Sequence, residues 1–181
     1  LLLEREVRDP DVARVVVVDP RRTETARVAK EHVAIRAGTD KYLLVAMIRR
    51  IVAKESYDAD FIARHTRGFD AWKTVIEQVD PDEAAHVTGV ARDTIDRLAD
   101  EFAAADGAFV TTRVGVQTSH NTTLTEWAVQ TLNAITGNVD RAGGVYFNPG
   151  VFDVPGLIEK FSKRRNAAPS RVGGYPQIFG G

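Results

Sequence analysis

The sequence predicts an α/β fold, a mostly parallel sheet flanked by helices, and two observations carry that expectation. The run "ARVVVV", residues 13–18, is apolar throughout and bounded by charged turns, the character of a strand buried on both faces of a parallel sheet. Segments with apolar residues every three or four positions separate such runs, so strands alternate with helices. With 181 residues, 44% of them hydrophobic and 27% charged, the chain has the length and balance to bury a sizeable core.

Taken in order, the valine strand is followed by "DPRRT" and a short helix over about residues 22–30, for which Thr23 and Thr25 are candidate caps. "HVAIR", residues 32–36, reads as a second short strand. "AGTD" then leads into a helix over about residues 40–54, where Leu43, Leu44, Met47, Ile48, Ile51 and Val52 mark one face and Asp40 is placed to cap. Residues 58–105 are mainly helical, interrupted at Gly68 and Gly89, and in their last helix Ile95, Leu98, Ala99 and Phe102 share a face. "AFVTTRVGV", residues 108–116, is the third strand candidate. A helix carrying Leu124, Ala128, Leu132 and Ile135 follows, with Gly137 as its stop. From Gly143 onward Gly and Pro accumulate and periodicity fades. The expected architecture is a three-layer, Rossmann-like domain over residues 1–147 and an irregular C-terminal tail over residues 148–181. The chain opens at "LLLEREVRDP" without Met and closes in "PQIFGG", and it is read as a piece of a longer protein.

Composition removes several function classes. With 24 Lys plus Arg against 25 Asp plus Glu, no electrostatic footprint for nucleic acid exists. The absence of cysteine excludes disulfides, thiolate zinc sites and Cys-held iron–sulfur clusters from this chain. No apolar run is long enough to span a bilayer, and the first residues lack the order of a signal peptide. No direct membrane contact is expected; a cytoplasmic location is, with export of the parent protein left open. His32, His65, His86 and His120 are scattered without ligand spacing and read as surface or core-edge residues, so no metal site is assigned. Trp72 and Trp127 fall in helical patterns and read as core.

In parallel α/β sheets ligands lie beyond the carboxyl ends of the strands, which singles out three loops. Asp19 can accept from ribose hydroxyls, and Arg21 and Arg22 can reach phosphate oxygens. Gly38 permits close backbone approach, Thr39 offers a hydroxyl, and Asp40 can accept two parallel N–H bonds from a guanine edge. Gly115 has the permissive place in the third loop, "RVGVQTSHN". Each residue also has a plainer reading: Asp19-Pro20 as a turn, Asp40 as a helix cap, the arginine pair as a solvated face. The chain contains neither GxGxxG nor a Walker loop. Residue chemistry alone therefore reaches a nucleotide-like ligand on an α/β fold.

The ordered segments "VVVVDPRRTETA", "IRAGTDKYLLVAMI", "YDADFIARHTRGFD", "VTGVARDTIDRLADEFAAA", "RVGVQTSHN" and "LNAITGNVDRAGG" resemble the central α/β domain of the molybdopterin oxidoreductases of the dimethyl sulfoxide reductase type. The resemblance covers about residues 13–147. It implies that the parent enzyme binds molybdenum through bis(molybdopterin guanine dinucleotide) and performs oxygen-atom or electron transfer. It further implies that Asp19, Arg21, Arg22 and Thr23, together with Gly38, Thr39 and Asp40, clasp the guanosine and phosphate end of one dinucleotide. The third loop adds Val114, Gly115, Gln117 and Thr118, the glutamine role of the family being open between Gln117 and Thr118.

The departures are specific. Ala37 stands where the family commonly has Pro, and Asn121 is followed by Thr122 rather than Gly. The glycine-rich strand and loop that usually precede the valine strand are missing. So are the N-terminal region, where the parent is expected to carry a 4Fe–4S cluster, and the segment that ligates molybdenum. No catalytic residue is assigned here, and the isolated chain is expected to be inactive and to hold no cofactor. The implied partners are the remaining domains of the same polypeptide and an electron-transfer partner. The alternatives are an NAD-dependent dehydrogenase of Rossmann type and a non-enzymatic regulatory α/β binding module.

Overall fold

The computed structural model describes residues 14–145. The tail expected over residues 148–181 and the first residues of the expected domain lie outside them. The valine run enters strand β1 (Val16–Val18), which pairs in parallel with β2 (Glu31–Val33), Val16 opposite Glu31, Val17 opposite His32 and Val18 opposite Val33. Between them lies the short helix α1 (Glu24–Val28), capped by Thr23, whose Oγ1 accepts from the Ala26 amide at 3.2 Å. β1 is half-buried along its length rather than buried on both faces.

Helix α2 (Asp40–Ala53) forms the centre of the unit. All six apolar residues expected on its inner face are buried, Ile48 and Ile51 completely, and removal of such a side chain from water is worth about 1.5–3 kcal/mol. Around it pack α4 (Phe69–Ile76), α5 (Pro81–Thr88), α6 (Arg92–Ala104) and α8 (Thr122–Ile135), while α3 (Ala59–His65) lies against α8. Gly68 separates α3 from α4 and Gly89 closes α5. The face expected of α6 is inward, with Ile95, Leu98 and Ala99 buried and Phe102 packed against them.

Three expectations are corrected and one, the sheet, is met only in part. Among the described residues the sheet has two strands, so the unit is a mostly helical α/β arrangement, and a wider three-layer sheet is not among them. The third strand candidate does not form: residues 108–113 run without a ladder and lead into a short helix, α7 (Val114–Gln117). The reason is that α8 and the turn after it supply the partners a neighbouring strand would. Asn133, fully buried, accepts from the Val110 amide at 2.9 Å and donates to the Val110 carbonyl at 3.0 Å, and Asn138 Oδ1 accepts from the Ala108 amide at 3.2 Å. On α8, Leu124 faces solvent and Thr125 and Val129 are buried instead, because the helix is rotated to aim Asn133 inward. Trp127 is also half-exposed, touching Trp72 edge-on at 6.2 Å between ring centroids.

At the N-terminal ends of the strands, charges are mutually satisfied. Arg14 pairs with Glu31 and Glu101, and Arg97 pairs with Glu31 (2.5 Å) and Glu101 (3.1 Å). The Arg97 guanidinium, with Arg14 behind it, outweighs the opposing effect of burial and leaves the Glu31 carboxyl with a lowered pKa. A second network joins α2 to α6, where Arg50 and Lys54 both hold Asp100. Among the described residues no helix is long and apolar enough to cross a membrane.

Candidate functional site

The carboxyl ends of β1 and β2 deliver two loops side by side. The Asp19 amide donates to the Val33 carbonyl at 3.2 Å, and His32 donates from Nε2 to the Asp19 carbonyl at 2.9 Å. His32 thus steadies the first loop, a role sequence reading missed, although its register position opposite Val17 is the signal that places it there.

In the first loop Asp19 Oδ1 accepts from the Arg21 amide at 2.8 Å, an Asx turn, so the plainer reading of Asp-Pro is correct for that oxygen. Asp19 Oδ2 has no hydrogen bond among the described residues and is free for a ligand hydroxyl. Thr23 uses its oxygen to cap α1 and keeps its proton to donate. Arg21 and Arg22 are exposed and, with Thr23, Glu24, Thr25 and Arg27, line an open depression of about 500 Å3. Arg21, Arg22 and Arg27 form no ion pair among the described residues, in contrast to Arg14 and Arg97 at the other end of the strands. Unpaired cations at the carboxyl ends of parallel strands suit an anionic ligand.

The second loop is a tight turn. The Thr39 amide (3.2 Å) and the Thr39 hydroxyl (2.7 Å) both donate to the Arg36 carbonyl, and Gly38 sits at φ +78° in the third position of the turn, where other residues are strained. A Cβ on Gly38 would meet nothing within 4 Å, so the space beside it is open to a ligand. Asp40 was expected to cap α2, and it does not. Thr39 occupies the cap position without a side-chain bond to the helix amides, and Asp40 is the first helical residue, its carboxylate accepting no hydrogen bond among the described residues. Without an internal partner, that carboxylate keeps both oxygens for an external donor.

The third loop differs most from expectation. Gly115 lies in α7 at an ordinary backbone conformation with open space around it, so only close approach of a ligand, not the backbone, calls for glycine there. Val114, Gln117 and Thr118 are all exposed, and the Thr118 hydroxyl is engaged internally, donating to the Val114 carbonyl at 3.0 Å. No hydrogen bond among the described residues ties residues 114–118 to the other two loops. The structure thus joins the first two loops and does not bring the third to them by any hydrogen bond among the described residues. The Asp58 amide donates to the Ile135 carbonyl at 2.8 Å, so α8 ends beside the segment that follows α2.

The exposed arginines and the carboxylates of the first two loops are donors and acceptors for a polar, anionic ligand. Among the described residues no three His, Asp or Glu side chains come together as a metal site.

A family model described as molybdopterin oxidoreductase matches residues 2–167. The chain belongs to that family. Among relatives of this molybdopterin oxidoreductase chain, formate dehydrogenase H of Escherichia coli is 33% identical over 167 residues, covering 92% of this chain and 23% of that protein. The dimethyl sulfoxide/trimethylamine N-oxide reductase of Rhodobacter capsulatus is 30% identical over 138 residues, covering 72% of this chain and 17% of that protein. Among solved structures, acetylene hydratase from Pelobacter acetylenicus shares the fold with a TM-score of 0.65 at 31% identity, over 68% of this chain and 17% of that one. The chain thus spans about a sixth to a quarter of the length of these relatives, and the resemblance read from the ordered segments is borne out at the level of the family.

Proposed function

We propose that this chain holds the guanosine and phosphate end of a bis(molybdopterin guanine dinucleotide) cofactor in a molybdenum-dependent oxidoreductase. One observation carries the reading: two adjacent parallel strands end in loops whose charged side chains, Arg21, Arg22 and Asp40, have no partner among the described residues at the end of the sheet where ligands bind. In this reading Arg21 and Arg22 bind phosphate oxygens, the spare Asp19 oxygen takes a ribose hydroxyl, and Asp40 accepts from the guanine N–H edge. Thr23, Thr39 and the open flank of Gly38 complete the two-loop clasp. Gln117, exposed and with a side chain that makes no hydrogen bond among the described residues, fills the third-loop role in preference to Thr118, beside Val114 and Gly115.

When bound, the cofactor supplies the oxygen-atom or electron transfer, and the protein supplies binding and orientation. The two strands then belong to a wider three-layer, Rossmann-like sheet over residues 1–147, completed by the remaining domains of the parent polypeptide. Those domains would carry the molybdenum ligand and a 4Fe–4S cluster, with an electron-transfer partner and a cytoplasmic location. Relatives named as a dehydrogenase, a reductase and a hydratase agree with a shared cofactor-holding domain whose reaction is set elsewhere. Family membership takes the place of the NAD-dependent and regulatory alternatives.

The test is molybdenum and guanine nucleotide content per full-length chain. Arg21→Ala and Asp40→Asn are expected to weaken retention by on the order of ten- to a hundredfold, the loss of a charge-assisted hydrogen bond of roughly 1.5–3 kcal/mol. Arg22→Ala is expected to have the smaller effect, since adjacent side chains leaving a strand diverge. Unchanged content in all three variants would reject the clasp.

A further inference from the structure

Arg36 adjoins the second loop, yet its side chain is engaged elsewhere. Its guanidinium donates from Nη1 to the carbonyls of His86 (2.5 Å) and Val87 (3.2 Å), and its amide donates to the Thr88 carbonyl at 2.9 Å. These are carbonyls of the last turn of α5, the end of a helix that lacks internal donors and favours a cation. Gly89 closes that helix at φ +72°, and a Cβ there would stand 3.4 Å from Arg36 Nε, so the guanidinium lies directly over the glycine. The Arg36 carbonyl, on the opposite side of the same residue, accepts both the amide and the hydroxyl of Thr39.

We infer that Arg36 is a positioning residue: it fastens the turn of Gly38, Thr39 and Asp40 to the C-terminal end of α5 and so fixes where the Asp40 carboxylate points, without itself touching the ligand. One residue carries both halves of the linkage, and α5 is in turn held by α2 and α6. The functional side of this inference rests on the proposed guanine clasp; the mechanical side does not.

The experiment uses the full-length protein and two readouts. Hydrogen exchange in cofactor-free protein follows peptides covering residues 34–42 and 84–91. Release of guanine nucleotide, measured as GMP after acid hydrolysis of the cofactor that stays bound, follows the clasp. Arg36→Met is expected to speed exchange in both peptides and to speed release roughly two- to tenfold, the lower part of the range for residues that act through a neighbour, because the contact is exposed. Arg36→Lys, which keeps the charge and a donor, recovers part of both effects. Ile95→Val, a fully buried change on α6, is the stability control and leaves release unchanged at a comparable loss of Tm. Loosening of 84–91 alone, or release no faster than in Ile95→Val, would overturn the inference and leave Arg36 as a helix cap. If Asp40→Asn also leaves release unchanged, the proposed clasp itself fails, and the exchange in 34–42 still decides the linkage.

Discussion

Asn133 offers the most direct measure of how the segment leading to the third loop is held. Its side chain is completely buried and makes two hydrogen bonds to one residue, accepting from the Val110 amide at 2.9 Å and donating to the Val110 carbonyl at 3.0 Å. Asn133→Leu keeps the branched outline of the side chain, at a larger volume, and removes both bonds, leaving two backbone groups without partners. Each such group costs about 1–3 kcal/mol when buried, and Val110 is only partly buried, so water recovers some of this and a total of about 2–4 kcal/mol is expected. Asn133→Asp sharpens the argument. As a neutral acid it can still accept from the amide and donate to the carbonyl; ionised, it sets a negative charge against the carbonyl in a dry site. Its folded pKa is therefore raised above the unfolded value of about 3.9. The variant should match the wild type near pH 4 and lose about 1.4 kcal/mol for each pH unit above it, until the folded pKa is reached. Urea unfolding followed by tryptophan fluorescence at pH 4 and pH 7, each variant against wild type, measures this. A pH-independent difference for Asn133→Asp, or a loss below about 0.5 kcal/mol for Asn133→Leu, would refute the role given to Asn133.

Two further outcomes are expected. The Arg50 guanidinium, then Lys54, lower the Asp100 pKa to about 2 from an ordinary 3.8, so the stability this carboxylate contributes is full above pH 3.8 and is lost as pH falls toward 2. With a third of the side chain exposed, solvent screening holds this to about 1 kcal/mol or less, and Asp100→Asn should erase that part of the acid dependence of the urea midpoint; an acid limb identical to wild type would discount the network. Ala37, exposed, at the second position of a turn whose third residue is Gly38 at φ +78° and with no hydrogen bond from its amide, is suited to Pro. Ala37→Pro should stabilise by about 0.4–1 kcal/mol and raise Tm by about 1–4 °C; a lower Tm would show that the turn is not of this kind.

Much of the helical framework was legible in the sequence because it depends on local chemistry. The six apolar residues of α2 recur at helical spacing and are all buried, Thr23 caps α1 as its position before Glu24 suggests, and Gly68 and Gly89 stand where helices end. The "DPRRT" and "AGTD" loops could be singled out because an apolar run that ends abruptly in charge marks where a strand stops. The tertiary structure alone decided the rest. "AFVTTRVGV" has the residues of a strand, but a strand exists only with a partner. Here the partners are Asn133 and Asn138, more than twenty residues further along. The same inward Asn133 turns Leu124 to solvent, which a count of apolar residues, blind to a satisfied buried amide, cannot foresee. Asp40 has the residue type of a cap, yet the turn closed on the Arg36 carbonyl makes Thr39 the boundary and leaves the Asp40 carboxylate unspent. In each case a hydrogen bond between groups distant in sequence, or a turn one residue out of register, outweighed a local preference worth about 1 kcal/mol.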